Sequence, residues 1–489
     1  MENTGRISSA VTPSARRILF GEVADASIDA ELEEACQVDR AHLVMLAERG
    51  LVDRRRARVL LRAIDKLRAS NFAPLRGRTA SRGLFLLYED YLIETLGAHT
   101  GGILQTARSR NDLNATTLRL RLRKPYLRLI AEALRLHAIL LRRAAKFADV
   151  VMPAYTHYQA AVPVTYGHYL AGVAQAHGRD ITGIFEAGAD LDRSPLGAGA
   201  VGGTSLAIDE MRTASLLGFE QASLNSIDSV ASRDVTLRLL AAASIMGLTL
   251  SRLAADLLLW ATAEFGFLSF PDNLVGSSSM MPQKRNPYLL EHVQGRSASV
   301  LGAFVSAATA THAKPFTNSI AVGTEAVSNV WKAWENITTA TVLARLTVSG
   351  ARPSPRAMLD RAVDGYTSAT EMANRLMVEA DIAFRSSHQT VGALVREAVE
   401  DGGDPLQSIA ARRLPEMGCA VSLEGLDPAS VARASVYGGG PGGQSLKRCL
   451  DTLRADWTEL RARVRQRMHK WKAARKSLDL AVQRICAGD

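Results

Sequence analysis

Residues 239–250 read LLAAASIMGLTL and are bracketed by Arg238 and Arg252. The run is apolar on every side, holds no proline and shows no alternation of polar and apolar residues. It is shorter than the ~20 apolar residues of a membrane span, so a buried core helix is the better reading. The same alanine and leucine texture extends outward in both directions. A long helix is expected from about Leu113 to Ala148, with a kink or break at Pro125 inside it. Earlier, Leu43, Leu46, Ala47 and Leu51, then Val59, Leu60, Ala63, Ile64 and Leu67, recur at helical spacing, with Gly50 as a stop. LFLLYEDYLIETLG (84–97) reads as another helix ended by Gly97. Loops are expected at 150–165, 192–205 and 268–287, and strand signals are nearly absent.

Residues 1–16 are polar and expected to be loose, and 70–83 form a turn-rich joint. After about residue 350 proline, glycine and acidic residues increase, which predicts a region of short helices. The expected fold is all-α: a central bundle of very long helices over 111–362, a helical N-terminal domain over 1–110 and a small helical C-terminal domain over 363–489.

Composition narrows the function. The chain has 489 residues, 47% of them hydrophobic, with 59 Lys and Arg against 49 Asp and Glu. That excludes disordered, collagen-like and disulfide-dense classes. Cys36, Cys419, Cys449 and Cys486 are scattered with no CxxC pair, which fits a reducing compartment and offers no zinc knuckle. The N-terminal stretch has no apolar core, so no signal peptide is expected and the location is read as cytoplasmic, with no membrane partner. The net charge of +10 is spread through helical segments such as RRRAR (54–58) and LRLRLRK (118–124). Nucleic-acid binding needs a clustered patch, so no nucleic-acid partner is expected; an anionic small molecule in a basic cleft fits better. GGGPGGQS (438–445) has phosphate-loop glycines, but Gln444 stands where the lysine belongs and no strand precedes it. No metal-ligand spacing occurs, and neither metal nor cofactor is expected.

Three polar segments between the long helices carry the chemistry. QTARSRNDLNATT (105–117) precedes a helix start, where Asn111 or Asp112 could act as a cap. The functional alternative uses Ser109, Arg110 and Asn111 with the helix N-terminus to hold a carboxylate. YTHYQAAVPVTYGH (155–168) sets Thr156, His157 and Gln159 before an apolar helix. GSSSMMPQKRNPYLLEH (276–292) joins three serines to Lys284 and Asn286. A serine needs activation by its surroundings to act as a base, and a nearby lysine can stabilise carboxylate charge that grows in a transition state.

SSSMMPQKRN (277–286) resembles the signature loop of the fumarase/aspartase superfamily, and TARSRND (106–112) and YTHYQAAVPVTYGH resemble its other two shared regions. SRND with MPQK-N-P, SPLGAGAVGGTSLAID (194–209), NSIDSVASRD (225–234) and GGGPGGQSLKR (438–448) are most similar to argininosuccinate lyases. The resemblance implies a homotetramer with each site shared between subunits. It also implies β-elimination of an N-substituted aspartate to fumarate and an amine. Carried over by position, Ser278 is the base, His157 stands beside the site and Glu291 polarises it. Lys284 and Asn286 hold the carboxylate that becomes an aci-carboxylate. Ser109, Arg110, Asn111 and Thr156 bind the succinyl half, and Arg233 matches the arginine of the SRD stretch.

The departures fall on the other half of the substrate. Ser277 replaces a glycine of the signature, Gln105 stands where a histidine precedes Thr106, and Phe85 stands where another histidine is expected. In HAKPFTNSIAVGTEAV (312–327) those lyases carry a tyrosine, a glutamine and a lysine that hold the amino-acid half. This chain has Asn318 or Thr317, then Gly323 and Ala326. An altered amine is therefore expected. True argininosuccinate cleavage, expulsion of another nitrogen group such as nitrite, and a non-catalytic scaffold are the rival readings.

Overall fold

The computed structural model describes residues 6, 11–20, 25–78 and 83–487. The helices run α1 (Pro13–Phe20), α2 (Asp25–Glu48), α3 (Arg54–Ala69), α4 (Leu84–Leu96), α5 (Ala98–Gly101) and α6 (Arg110–Lys146). A hairpin of β1 (Val151–Thr156) and β2 (Gln159–Thr165) leads into α7 (Tyr166–Ala187). Then come α8 (Glu210–Leu216), α9 (Ser226–Ala231), α10 (Asp234–Trp260), α11 (Tyr288–Thr311) and α12 (Val330–Gly350). Two-residue strands β3 (Leu268–Ser269) and β4 (Arg352–Pro353) pair antiparallel. The chain ends with α13 (Pro355–Asp364), α14 (Ala369–Glu379), α15 (Phe384–Glu400), α16 (Leu406–Glu416), α17 (Pro428–Ala434) and α18 (Gly443–Ala487).

The all-α expectation holds, and Gly50 and Gly97 end their helices with positive φ of 69° and 76°. The apolar faces of α6, α7, α10, α11 and α12 close on one core, with Leu122, Tyr126, Leu239, Met246, Val293 and Ile337 buried in it. The 239–250 run lies within the 27-residue α10, which is long and apolar enough by composition to cross a membrane; its Leu239, Met246, Leu250 and Leu257 are enclosed by the bundle. Its opposite face leaves Ile245 57% and Leu248 53% exposed, and Leu301 and Val305 continue the apolar surface on α11.

α6 runs unbroken for 37 residues through Pro125. An internal proline costs about 3 kcal/mol. Leu118, Leu122, Tyr126 and Leu129, buried on both sides of it, offset that loss. The helices after residue 350 are short up to α17, but α18 spans 45 residues. Leu446, Leu450 and Leu453 of α18 enter the bundle core, while Leu478, Val482 and Ile485 join the N-terminal core formed by α2, α3 and α4. Trp457 donates to the Leu134 carbonyl at 3.0 Å, and Trp471 to Asp192 at 2.9 Å. A third, separate core lies among α14, α15 and α16.

The expected loop at 150–165 is the antiparallel hairpin. Its turn is His157–Tyr158, with φ of 53° and 61°, and Thr156 pairs with Gln159 across it. A two-residue hairpin loop wants left-handed backbone at both positions, which glycine or asparagine normally supplies. Neither is present, so the sequence carries no hairpin signal there.

Candidate active site

The N-terminus of α6 is the best-ordered part of the site. Ser109 caps it, its hydroxyl accepting the Asn111 N–H at 3.2 Å, while the Asp112 carboxylate accepts the Ser109 N–H at 3.0 Å. The cap is therefore a Ser109–Asp112 box rather than Asn111 or Asp112 alone. The other oxygen of Asp112 accepts the N–H groups of Gly197 and Gly199 at 3.2 and 3.0 Å, which folds the glycine-rich loop over the helix end. Behind the cap, Ala107 is left-handed at φ 57°. Such strain persists only where the surroundings hold it. Here Arg108 and Asp39 form an ion pair at 2.6 Å with both side chains fully enclosed, and His42 bonds the Thr106 carbonyl at 2.8 Å.

Capping leaves the Asn111 side chain free for other bonds. Its amide donates to the Ala200 carbonyl at 3.2 Å and accepts from Asn318 at 3.0 Å. Asn318 in turn lies 3.4 Å from the Arg233 guanidinium. Arg233 is buried, donates to the Val230 and Ser232 carbonyls, and has no carboxylate partner among the described residues. Burial first, and then the nearby Arg119, lower its pKa to about 10. It remains a cation at neutral pH, and its cheapest neutralisation is an incoming anion. Arg110 sits in the first turn of α6 with its side chain exposed.

The remaining predicted residues lie elsewhere. Thr156 and His157 are exposed at the tip of the hairpin, which packs on α13 and α17. Ser278 stands in a loop whose neck is closed by Gly276 and Asn286, each donating its N–H to the other's carbonyl at 2.8 Å. Arg285 braces that neck through Asp272 and the Phe270 carbonyl. The Ser278 oxygen accepts the N–H groups of Met281 at 3.1 Å and Met280 at 3.3 Å. Both bonds come from its own loop and fix the hydroxyl's position there. Lys284 is exposed on the same loop, and Glu291 is exposed in the first turn of α11. Among the described residues no hydrogen bond or ion pair joins Ser278, His157, Lys284 and Glu291 to one another.

Chain direction explains this division. Ser109, Asn111, Arg233 and Asn318 lie where α6 and α10 begin and α11 has just ended. The hairpin and the Ser278 loop lie where α6 and α10 have ended and α11 begins. A 37-residue helix rises 1.5 Å per residue, so these two ends are about 55 Å apart. The single chain thus brings together Ser109, Asn111 and Arg233 and leaves Thr156, His157, Ser278, Lys284, Asn286 and Glu291 at the far end. Sequence reading missed the bond from Asn318 to Asn111; no local pattern announces a contact across 207 positions.

A cavity of about 340 Å3 opens beside the Asn111 cluster, between α2, α4, α6 and the start of α12. A larger one of about 740 Å3 lies between α7 and α18, and none of the predicted site residues lines it. Among the described residues no group of three or more His, Cys, Asp and Glu is placed to hold a metal.

Three polar segments set at the ends of one long-helix bundle define a lyase of the fumarase/aspartase superfamily. A family profile described as Lyase matches residues 47–302, and one described as Argininosuccinate lyase C-terminal matches 366–429. An argininosuccinate lyase of Methanothrix thermoacetophila is 34% identical over 482 residues, covering 96% of both chains. That of Thermus thermophilus is 37% identical over 369 residues, 74% of this chain and 79% of its own. An EDDS lyase variant solved with bound fumarate superposes with a TM-score of 0.86 at 28% identity, covering 99% of this chain and 98% of its own. A fumarase from Schistosoma mansoni shares the fold alone, with a TM-score of 0.68 at 14% identity over 85% and 94% of the two chains. The chain belongs to the argininosuccinate lyase-like branch of the superfamily, and it is a fumarate-releasing carbon–nitrogen lyase.

Proposed function

We propose that the chain cleaves an N-substituted aspartate whose amine half is not arginine, in a homotetramer whose sites are each completed by several subunits. The observation that carries this is the division of the site residues between two bundle ends about 55 Å apart. A neighbouring antiparallel copy would bring a Ser278 loop to each Asn111 cluster. The exposed apolar face on α10 and α11, with Ile245, Leu248, Leu301 and Val305, is the surface such copies would bury. A cytoplasmic location belongs to the same reading.

In the assembled site Ser109, Asn111 and Arg233 would grip the succinyl carboxylates, with Arg110 and Thr156 at the margin. Ser278 would take the proton from the carbon next to the carboxylate. The electron pair of that carbon–hydrogen bond would form the carbon–carbon double bond as the carbon–nitrogen bond breaks, and the nitrogen, leaving from its protonated form, would take the carbon–nitrogen pair and depart as the neutral amine. Lys284 and Asn286 would stabilise the charge that grows on the carboxylate as that proton departs. His157, oriented by Glu291, would stand beside the leaving nitrogen.

Mixing tests the shared site. Ser278→Ala and Asn111→Ala should each be inactive alone, and co-refolded mixtures should regain fumarate production. Mixed oligomers that stay dead would refute assembly in trans. Argininosuccinate tests the amine: poor turnover is expected, because Gly323 and Ala326 offer no side-chain hydrogen bonds. Charge-assisted bonds are worth about 1.5–3 kcal/mol each. The strength of the archaeal match favours a second reading, true argininosuccinate cleavage. A kcat/KM of about 10⁴ M⁻¹s⁻¹ or more on argininosuccinate would establish it.

A further inference from the structure

We infer that Arg108 is a positioning residue: clamped by Asp39 and Phe85, it holds Ala107 left-handed and thereby aims Ser109 and Asn111 at the succinyl half of the substrate. The inference deepens the lyase reading above and rests on its assignment of those two side chains.

A buried ion pair is a poor source of stability. Taking both charges out of water costs about as much as their attraction returns, and two apolar side chains of similar size often serve as well. Arg108 and Asp39 nonetheless meet at 2.6 Å with neither side chain exposed. Burial pushes the Asp39 carboxyl up even beside that guanidinium, so the desolvation is not fully offset. What such a pair adds is direction, because two opposite charges hold their ends together at one place while apolar side chains slide past one another.

That direction falls on one residue. Asp39 and His42 are three positions apart and share a face of α2. His42 is neutral, since burial and then the nearby Arg108 lower its pKa to about 3, and its Nε2 donates to the Thr106 carbonyl at 2.8 Å. α2 therefore grips the chain at 106 and at 108, on both sides of Ala107 with its φ of 57°. Alanine resists that conformation, which glycine adopts freely. From α4 the Phe85 ring lies 5.9 Å from the Arg108 guanidinium and closes the clamp, with Tyr88 packed behind it at 5.8 Å between ring centres. Phe85 is the residue that replaces an expected histidine, and here it serves as a wall. Ser109 follows at once, bound to Asp112 through its N–H and to the Asn111 N–H through its oxygen. A backbone rotation at Ala107 would pass straight into that cap, and from it to the Asn111 side chain between Ala200 and Asn318.

Fumarate binding to the purified enzyme, followed by isothermal titration calorimetry, tests the clamp without any amine. Asp39→Leu with Arg108→Met replaces both charges by apolar groups of similar size, so the melting temperature should hold or rise. The fumarate dissociation constant should still increase by about tenfold, the effect of one badly aimed hydrogen bond to a carboxylate. Adding Ala107→Gly should bring it back toward the wild-type value, because glycine takes the left-handed conformation without a clamp. A pair that served stability alone would leave the constant unmoved and give glycine nothing to repair. Should the double variant not fold, Arg108→Lys keeps a cation facing Asp39 and Glu89 but loses the planar fork. It should weaken fumarate binding to a lesser degree, and Ala107→Gly should again relieve the loss. Wild-type affinity in a folded clamp variant, or a loss that Ala107→Gly does not relieve, overturns the inference and leaves the lyase reading intact. A wild-type enzyme that bound no fumarate would overturn the succinyl grip itself, and the inference with it.

Discussion

The two ends of the bundle are built to different standards. At the α6 N-terminus most of the candidate polar groups are tied down: Ser109 and Asp112 to each other, Asn111 to Asn318, and Arg108 to Asp39 in full burial. At the other end Thr156, His157, Lys284 and Glu291 stand in the open, and Ser278 is held only by the amides of its own loop. Under the proposed assembly the groups that grip substrate would be preorganised within one chain, and turnover would depend on a second copy supplying the reacting groups.

The most severe way to break the comparison is to separate the copies. Ile245→Asp with Leu248→Asp should give monomers by light scattering that make no fumarate, although the Asn111 end is untouched. Ser278→Ala should lower kcat by about 10²–10⁴-fold in a fumarate absorbance assay. Its melting temperature should stay near wild type, because the side chain is small and lies in a loop. Asp39→Ala attacks the other end. Removing one member of a buried ion pair typically costs about 3–5 kcal/mol, and urea unfolding should show a loss of that order. If Asp39→Ala unfolded normally and Ser278→Ala did not, the contrast between the ends would be inverted.

A smaller effect sharpens the picture of the core between them. Burial lowers the pKa of His177 to about 3, and that of His137 to about 4. In the unfolded chain each titrates near 6.5, so between about 6.5 and those values the unfolded state binds more protons. Stability should therefore fall as the pH drops below about 6.5, by up to ~1.4 kcal/mol per pH unit per histidine. Asp180 opposes this in part: burial raises it to about 6, so its carboxyl is protonated in the fold first and favours the folded state as pH falls through that value. His177→Gln should flatten the acid limb of a plot of unfolding free energy against pH. An unchanged slope would mean that His177 titrates normally.

The helices were legible because leucine and alanine recur at 3.6-residue spacing and because Gly50 and Gly97 mark stops. The hairpin was not, since its left-handed turn is made by His157 and Tyr158 rather than by glycine or asparagine. The length of α18 was hidden by its arginines; the apolar positions that anchor it are sparse, and two tryptophan bonds to distant segments complete its seat. The candidate site residues were read from type and motif. Their division between two ends was not, because it follows from how many turns separate the motifs rather than from the motifs themselves. Ser109 illustrates the difference: the sequence reading took it as a ligand and gave the cap to Asn111 or Asp112, and only the fold shows its oxygen accepting the Asn111 N–H.

α6 connects the Asn111 cluster to the hairpin as one unbroken rod. Every residue added to or removed from it would turn one end against the other by about 100° and slide it by about 1.5 Å. In a symmetric assembly the error would appear in every site at once, since each copy is both donor and recipient. The rod acts as a gauge: its residue count is constrained along its whole length, even at positions that touch no ligand.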